Sequence, residues 1–134
     1  MGGAVIAAGL GCRRGCPGAE IAGLVRAAFD AAGLDGAARA AAVLFAPERK
    51  RGEAGLPAAA ALLALPLRFL PDAALAAVAD RCVTRSPRVA AAVGLPSVAE
   101  AAALAGAGPA GRLLLPRLST PRATCALARP ETAP

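Results

Sequence analysis

The sequence contains no histidine, tryptophan or tyrosine, and only three of its 134 residues are phenylalanine. Without histidine there can be no Ser-His-Asp triad, Cys-His dyad, histidine proton shuttle or imidazole ligand for a metal. Without interleaved aromatic side chains, the arginines lack the stacking partners typical of nucleic-acid binding. We therefore expect no metal, no cofactor and no nucleic-acid partner.

Long hydrophobic runs are absent as well. The apolar stretch Leu56–Leu67 is too short to cross a bilayer and is interrupted by Pro66. The first arginines follow the N-terminal apolar run rather than precede it, unlike those of a secretion signal. The four cysteines fit neither a redox nor a zinc pattern, since Cys12 and Cys16 are spaced C-x-x-x-C. We expect a soluble cytoplasmic protein with reduced thiols and no membrane partner.

What the chain does have is alanine and arginine. Hydrophobic residues make up 57% of it, and the net charge is +6. Such a balance suits a polyanionic or carboxylate-rich partner. The length predicts one domain, which we place at residues 1–129, followed by a disordered tail at residues 130–134.

The stretch Ala4–Gly15 is the part that most resembles a binding element. Its apolar run, Ala4–Ala8, predicts a strand that stops at Gly9 and is followed by a tight polar turn, Gly11–Gly15. A helix is predicted next, over Ala19–Ala32. A turn between a strand and a helix N-terminus lies where open α/β sheets bind ligands.

Arg13 and Arg14 occupy this turn, although the positive end of a helix disfavours cations. An anionic ligand would resolve that conflict, so the turn predicts an anion site. Two alternatives stay open. The glycines could simply permit a sharp turn, or they could bind a nucleotide, although Gly9-x-Gly11-x-x-x-Gly15 is one residue longer than the dinucleotide fingerprint.

The remainder of the chain alternates short strands and helices, which predicts an α/β fold: three α/β/α layers around a mixed, mostly parallel sheet of about five strands. Further strands are predicted at Ala40–Ala46, Leu67–Leu70, Leu113–Leu115 and Ala123–Ala128. Helices are predicted over Leu56–Leu65, from Asp72 to Asp80, from Pro87 to Val93 and from Ser97 to Ala105. The last two strands are expected to be antiparallel and joined by the polar turn Arg117–Arg122.

Several other side chains are candidates for the same edge of the sheet. Cys12 could have a lowered thiol pKa beside the arginines and act as a nucleophile, or it could be a buried turn residue. Lys50 and Glu53 follow the second strand, within a charged loop that could equally be solvated surface. Ser97 and Glu100 form a capping box, which explains both residues by itself.

These motifs recur together in one known family. The series VIAAGLGCRRG, Lys50-x-x-Glu53, LPLRFL, VGLPSVAEAAAL, LLLPR and ATCALAR resembles the CobE/CbiG C-terminal domain family of cobalamin biosynthesis, over Ala4 to Arg129. The length is similar to that of the family's stand-alone members. The resemblance implies a role in building the corrin ring, with a corrinoid or precorrin intermediate as ligand and another pathway enzyme as a possible partner.

The resemblance also implies a set of ligand-binding positions. They are Gly11, Cys12, Arg13, Arg14, Gly15, Lys50, Glu53, Gly94, Ser97, Glu100 and Thr124, together with Arg117. Arg117 stands where family members usually have lysine, which excludes a Schiff base there.

Three functions stay open. The first is a binding or carrier protein for a corrin intermediate, with carboxylates paired to arginine. The second is a lactone-opening hydrolase that uses Glu53 or Glu100 as general base. The third is a small nucleotide-binding regulatory module.

Overall fold

The structure is a computed structural model that describes residues 5–84 and 97–130. The predicted helix from Pro87 to Val93, the glycine at position 94 and nearly all of the predicted disordered tail lie outside the described residues.

The centre of the fold is a five-stranded sheet with the order β3-β2-β1-β5-β4. The strands are β1 (Ala7–Cys12), β2 (Val43–Pro47), β3 (Leu67–Leu70), β4 (Gly111–Ser119) and β5 (Ala123–Pro130). The first three pair in parallel, and β5 is antiparallel to both of its neighbours. Four strands therefore point the same way, which confirms the predicted mixed, mostly parallel α/β sheet and its antiparallel closing pair.

Helices cover both faces of the sheet. They are α1 (Gly18–Ala31), α2 (Gly36–Ala40), α3 (Gly55–Leu63), α4 (Asp72–Ala76) and α5 (Val98–Ala107), with 3₁₀ turns at Glu48–Lys50 and Ala79–Arg81. The helices α1 and α3 share one core cluster with Ala8 and Leu10 of β1, whereas α4 and α5 share the other with Ala7. This alternation along β1 is the period-two pattern of a strand buried on both faces. In the described ranges no helix has the length and apolarity that a membrane span requires.

The first strand is longer than predicted. It does not stop at Gly9 but continues through Gly11 to Cys12. Beyond Gly9 the strand continues through its antiparallel pairing with β5, which extends to Cys12 and Ala123. Gly9 is a packing residue rather than a turn residue, because a Cβ there would lie 2.0 Å from the Ala99 carbonyl oxygen of α5. The turn is shorter as a result, and it ends at Gly15, which has the left-handed φ of 77°.

The helix α2 was not predicted, because its five residues are too few to show a helical period. It is stabilised at its start by Asp35, whose Oδ1 accepts the Ala38 backbone N–H at 2.8 Å. Asp35 is a typical N-cap residue, but the five residues that follow it bury no side chain, so the sequence shows no amphipathic pattern that would predict a helix there.

Two predicted helix ends were wrong. The helix that starts at Asp72 ends at Ala76 rather than near Asp80, and its N-cap is Pro71 rather than Asp72. The helix α3 ends at Leu63 rather than at Leu65, since Ala64 adopts a left-handed φ of 55° and closes the last turn through its backbone N–H.

Candidate functional site

A cleft of about 650 Å³ opens where β1 and β2 end and the helices α1 and α3 begin. It is lined by residues 14–18, by residues 52–55 and by Ala58. The first set is the connection from β1 to α1, and the second leads into α3. The predicted position, at the carboxyl end of parallel strands, is therefore where the cleft lies.

Two helix N-termini meet at this cleft, because Gly18 and Gly55 are the first residues of α1 and α3 and both line it. They approach so closely that a Cβ at Gly55 would lie 2.1 Å from the Cys16 carbonyl oxygen. The first amides of a helix have no acceptors within the helix and carry partial positive charge. This partial positive charge favours an anion, although at α3 the Leu56 N–H already donates to the Glu53 carbonyl and Pro57 has no N–H.

Arg14 lines the cleft, and the exposed Arg13 precedes it without contributing to the lining. Across residues 5–84 and 97–130, neither guanidinium forms an ion pair. Their backbone is nevertheless fixed: the Arg13 N–H donates to the Arg122 carbonyl at 2.8 Å, and the Cys16 N–H donates to the Arg13 carbonyl at 3.1 Å. Among the described residues, the turn therefore holds two guanidinium groups that form no ion pair.

Glu53 faces the same turn from the other side of the cleft. Its Oε1 accepts the Gly15 backbone N–H at 2.9 Å. Its own backbone N–H donates to the Lys50 carbonyl at 3.0 Å, so both residues of the Lys50-x-x-Glu53 motif belong to one turn. The cleft consequently presents one carboxylate beside the arginine.

Cys12 does not have the lowered pKa expected of a nucleophile. The thiol lies at the end of β1, where burial raises its pKa and the nearby positive charge of Lys50 opposes this only in part. Of the two alternatives, this environment disfavours the thiolate, and Cys12 is a half-buried residue that packs against the core on the α1 side.

Glu100 has a structural role that the capping box does not describe. Ser97 is the N-cap as predicted, since its hydroxyl accepts the Glu100 N–H at 3.3 Å. The fully buried Glu100 carboxylate accepts the backbone N–H groups of Val83 and Thr84, both at 2.8 Å, and of Arg117 at 3.0 Å. Burial alone would raise the pKa of Glu100. The hydrogen bonds from these N–H groups and from the Thr84 side chain together lower it by more, so the pKa of Glu100 is below the ordinary value. A buried ionised carboxylate with both oxygens occupied is not available as a general base.

Arg117 lies within β4 rather than in the turn that was predicted to contain it. The ladder between β4 and β5 is irregular from Leu115 to Leu118, and there the Arg117 N–H turns to Glu100. Gly11 pairs with Thr124, and a Cβ at Gly11 would lie 2.6 Å from the Thr124 hydroxyl and 3.7 Å from Val98 of α5.

The predicted site residues therefore form two groups rather than one cleft. Around the cleft lie Cys12, Arg13, Arg14, Gly15, Lys50 and Glu53. Around the start of α5, on the opposite face of the sheet, lie Gly11, Ser97, Glu100, Arg117 and Thr124. The sequence motifs identified residues at the correct edge but not which face each one occupies.

Sequence reasoning missed an ion-pair network beside the cleft. The Arg122 guanidinium contacts Glu20 Oε1 at 2.7 and 2.9 Å, and the Thr120 hydroxyl donates to Glu20 Oε2. These bonds, from Thr120 first and then Arg122, lower the Glu20 pKa. They join the β4–β5 turn to the first turn of α1. Glu20 and Arg122 are 102 residues apart, so no local pattern could reveal the pair.

Sequence reasoning also missed the contribution of α3 to the cleft, although a signal existed. Pro57 is one of the first residues of that helix, a position typical of proline, and Gly55 precedes it. Together they mark a second helix N-terminus at the edge where the glycine turn lies.

The fold is a small α/β domain with a five-stranded mixed sheet, and its cationic turn follows β1, the strand that pairs in parallel with β2 and antiparallel with β5. Residues 6–128 match the family described as Cobalamin synthesis G C-terminus, and the chain belongs to that family. The family predicted from the motifs is thereby confirmed.

The chain is similar over nearly its whole length to individual proteins of this family. The chain is 40% identical to Protein CobE of a Sinorhizobium species over 131 residues, which is 97% of this chain and 83% of that one. A crystal structure of CobE from the cobalamin (vitamin B12) pathway superposes with a TM-score of 0.88 at 36% identity, over 98% of this chain and 94% of that one. Cobalamin biosynthesis protein chiG of Agrobacterium tumefaciens is 39% identical with a TM-score of 0.74, over 96% of this chain and all of that one. The chain is thus a protein of cobalamin biosynthesis, similar to CobE.

Proposed function

We propose that the protein binds a carboxylate-rich corrinoid or precorrin intermediate at the cleft between the starts of α1 and α3, and that it serves as a carrier or accessory factor in corrin ring synthesis. One observation carries the proposal: Arg14 lines an open cleft between two helix N-termini and has no ion pair among the described residues. In a family of cobalamin biosynthesis, the anion that such a cleft would take is a pathway intermediate.

The chemistry of the ligand fits the charges of the cleft. Corrin precursors carry acetate and propionate groups around the rim of the macrocycle. A guanidinium binds a carboxylate through two parallel hydrogen bonds, and the partial positive charge at the two helix N-termini adds to the attraction. An open cleft of about 650 Å³ suits one edge of such a ring, with Arg14 and the adjacent Arg13 pairing with side-chain carboxylates while the rest stays outside.

The proposal places the protein in the cytoplasm, where an enzyme that makes or consumes the intermediate would be its partner. Lactone opening with Glu53 as general base is the second candidate, because Glu53 is a carboxylate at the cleft itself. Glu100 does not support that candidate, since its oxygens are buried and occupied.

Titration with hydrogenobyrinic acid tests the binding function, read from the visible spectrum of the ligand at micromolar protein. We expect a saturable spectral shift with the free acid and none with its fully methyl-esterified form, which has the same ring but no carboxylates. Equal binding of the ester would contradict the role of the arginines. No shift with the acid would overturn the proposal.

A separate incubation with a lactone-containing precorrin intermediate tests the hydrolase, because opening of the lactone adds one water to the mass of that ligand. An unchanged ligand mass after incubation would reject the enzymatic candidate. A thermal shift with NAD or ATP and none with corrinoids would favour the nucleotide-binding alternative instead.

A further inference from the structure

Glu53 is an unexpected residue at a cleft for carboxylates, because its own negative charge repels them. Its carboxylate nevertheless forms a specific hydrogen bond: Oε1 accepts the Gly15 backbone N–H at 2.9 Å, across 38 residues of sequence. The bond therefore joins the two loops whose residues form the cleft.

The peptide group that Glu53 holds is the one that sets the direction of Arg14. A peptide unit is planar, so the Gly15 N–H and the Arg14 carbonyl rotate together. Fixing that N–H fixes the ψ angle of Arg14. Gly15 itself needs the left-handed φ of 77°, a conformation that glycine leaves readily unless a contact retains it.

Glu53 is in turn anchored at the start of α3. Its N–H donates to the Lys50 carbonyl at 3.0 Å, and its carbonyl accepts the Leu56 N–H at 3.2 Å. The Glu53 side chain thus extends from a fixed backbone to the exposed turn at Gly15. That turn is also held by the two backbone hydrogen bonds of Arg13. Glu53 is therefore the residue whose side chain fixes the Arg14–Gly15 peptide group.

We propose that Glu53 is a positioning residue of the cleft: by accepting the Gly15 N–H it orients Arg14 toward the carboxylates of the ligand. The hydrogen-bond acceptor matters for this role, and the charge does not. The affinity part of this inference rests on the proposed function, whereas the orientation of the turn can be measured without any ligand.

Two substitutions separate the acceptor from the charge. In Glu53→Gln the side-chain amide oxygen still accepts the Gly15 N–H, while the repulsion of ligand carboxylates is gone. In Glu53→Ala both are lost. Glu48→Ala is the matched control, because Glu48 is an exposed carboxylate of the same loop that pairs with Arg51 at 3.6 Å and does not line the cleft.

We expect hydrogenobyrinic acid to bind Glu53→Gln at least as tightly as the wild type and to bind Glu53→Ala at least fivefold more weakly. Without ligand, the Gly15 amide proton resonance should move upfield in Glu53→Ala and stay close to its wild-type position in Glu53→Gln. Glu48→Ala should change neither quantity. If Glu53→Ala does not fold, Glu53→Asp replaces it, since its carboxylate is one methylene too short to reach Gly15, and we expect the same weakening.

Wild-type affinity in Glu53→Ala would overturn the inference. So would a Glu53→Gln variant as weak as Glu53→Ala, which would assign the role to the charge itself. If the wild type binds no corrinoid, the proposed function fails, and the Gly15 resonance alone decides the positioning role: an unmoved resonance in Glu53→Ala would contradict it.

Discussion

Gly9 of β1 lies directly against Ala99 of α5, so closely that a Cβ on Gly9 would be 2.0 Å from the Ala99 carbonyl oxygen and 2.3 Å from the Ala103 nitrogen. The helix rests on the strand backbone itself. Its alanines make this possible, since Ala99, Ala101, Ala102 and Ala103 are all fully buried. The abundance of small residues in the chain thus has a local packing use beside the cleft-bearing strand.

Gly9→Ala should destabilise the protein by about 3 kcal/mol, because the clashing atoms belong to backbone and cannot move aside as a flexible side chain would. Urea unfolding followed by circular dichroism measures this as a lower midpoint. A variant with wild-type stability would contradict the close packing of α5 on β1.

Gly23→Ala is the control for that experiment. Gly23 lies on the exposed side of α1, and nothing would lie within 4 Å of its Cβ. Alanine has the higher helix propensity, so this variant should gain about 0.5–1 kcal/mol. If Gly9→Ala lowers and Gly23→Ala raises the free energy of unfolding, the same substitution separates the effect of packing from that of helix propensity.

Glu100→Gln should destabilise the protein by about 2–3 kcal/mol at neutral pH, because an amide nitrogen cannot accept the backbone N–H groups that the carboxylate accepts. Because the pKa of Glu100 is lowered in the folded state, its contribution is complete above the ordinary glutamate pKa. The contribution is lost as the pH falls through the folded-state pKa.

The pH dependence distinguishes this role from simple packing. In the wild type, the free energy of unfolding should fall in acid more steeply than in Glu100→Gln, and the two curves should converge at low pH. Glu48→Gln, a substitution of an exposed carboxylate, should follow the wild-type curve. Parallel curves for the wild type and Glu100→Gln would contradict an ionised Glu100.

Thr120→Val should raise the Glu20 pKa toward its ordinary value, because the Thr120 hydroxyl contributes most to lowering it. Valine has nearly the same shape and no donor. Carbon-13 NMR of the Glu20 carboxyl during an acid titration measures the change, and Ser119→Ala at the exposed neighbouring position provides the control. An unchanged Glu20 titration in Thr120→Val would contradict the network.

The cysteines should react slowly with iodoacetamide at pH 7, since burial raises the pKa of Cys12 and brings that of Cys125 to about 12. Mass spectrometry of the labelled protein should show Cys125 unmodified until the chain is unfolded. Modification of Cys12 should accelerate only in alkaline solution. Fast modification of Cys12 at pH 6 would restore it as a candidate nucleophile.

The sequence was sufficient to predict most of the strands, the antiparallel closing pair and the cationic turn, because each of them shows as a pattern of residues that are near one another in the chain. Leu67–Leu70 was placed to the residue, since prolines delimit it on both sides. The extension of β1 through Gly9 could not be predicted, because glycine usually signals a turn. Here the strand is extended by its pairing with β5, and Gly9 makes room for Ala99 of α5; both partners lie far along the chain.

The site was predicted only in part for a similar reason. Arg14, Gly15 and Glu53 meet at one cleft, as their edge positions indicated. Ser97 and Thr124 lie at the same edge but on the other face of the sheet. Topology fixes the edge, whereas the face depends on register, and a one-residue change of register exchanges the faces.

Equilibrium binding of hydrogenobyrinic acid to Arg13→Ala/Arg14→Ala tests the central claim most directly. Arg68→Ala/Arg129→Ala is the matched control, because it removes the same charge from exposed positions that do not line the cleft. We predict that the first variant stays folded and binds at least tenfold more weakly, which corresponds to about 1.4 kcal/mol, while the control binds like the wild type. Equal affinity of the two double variants would contradict an anion site at this turn.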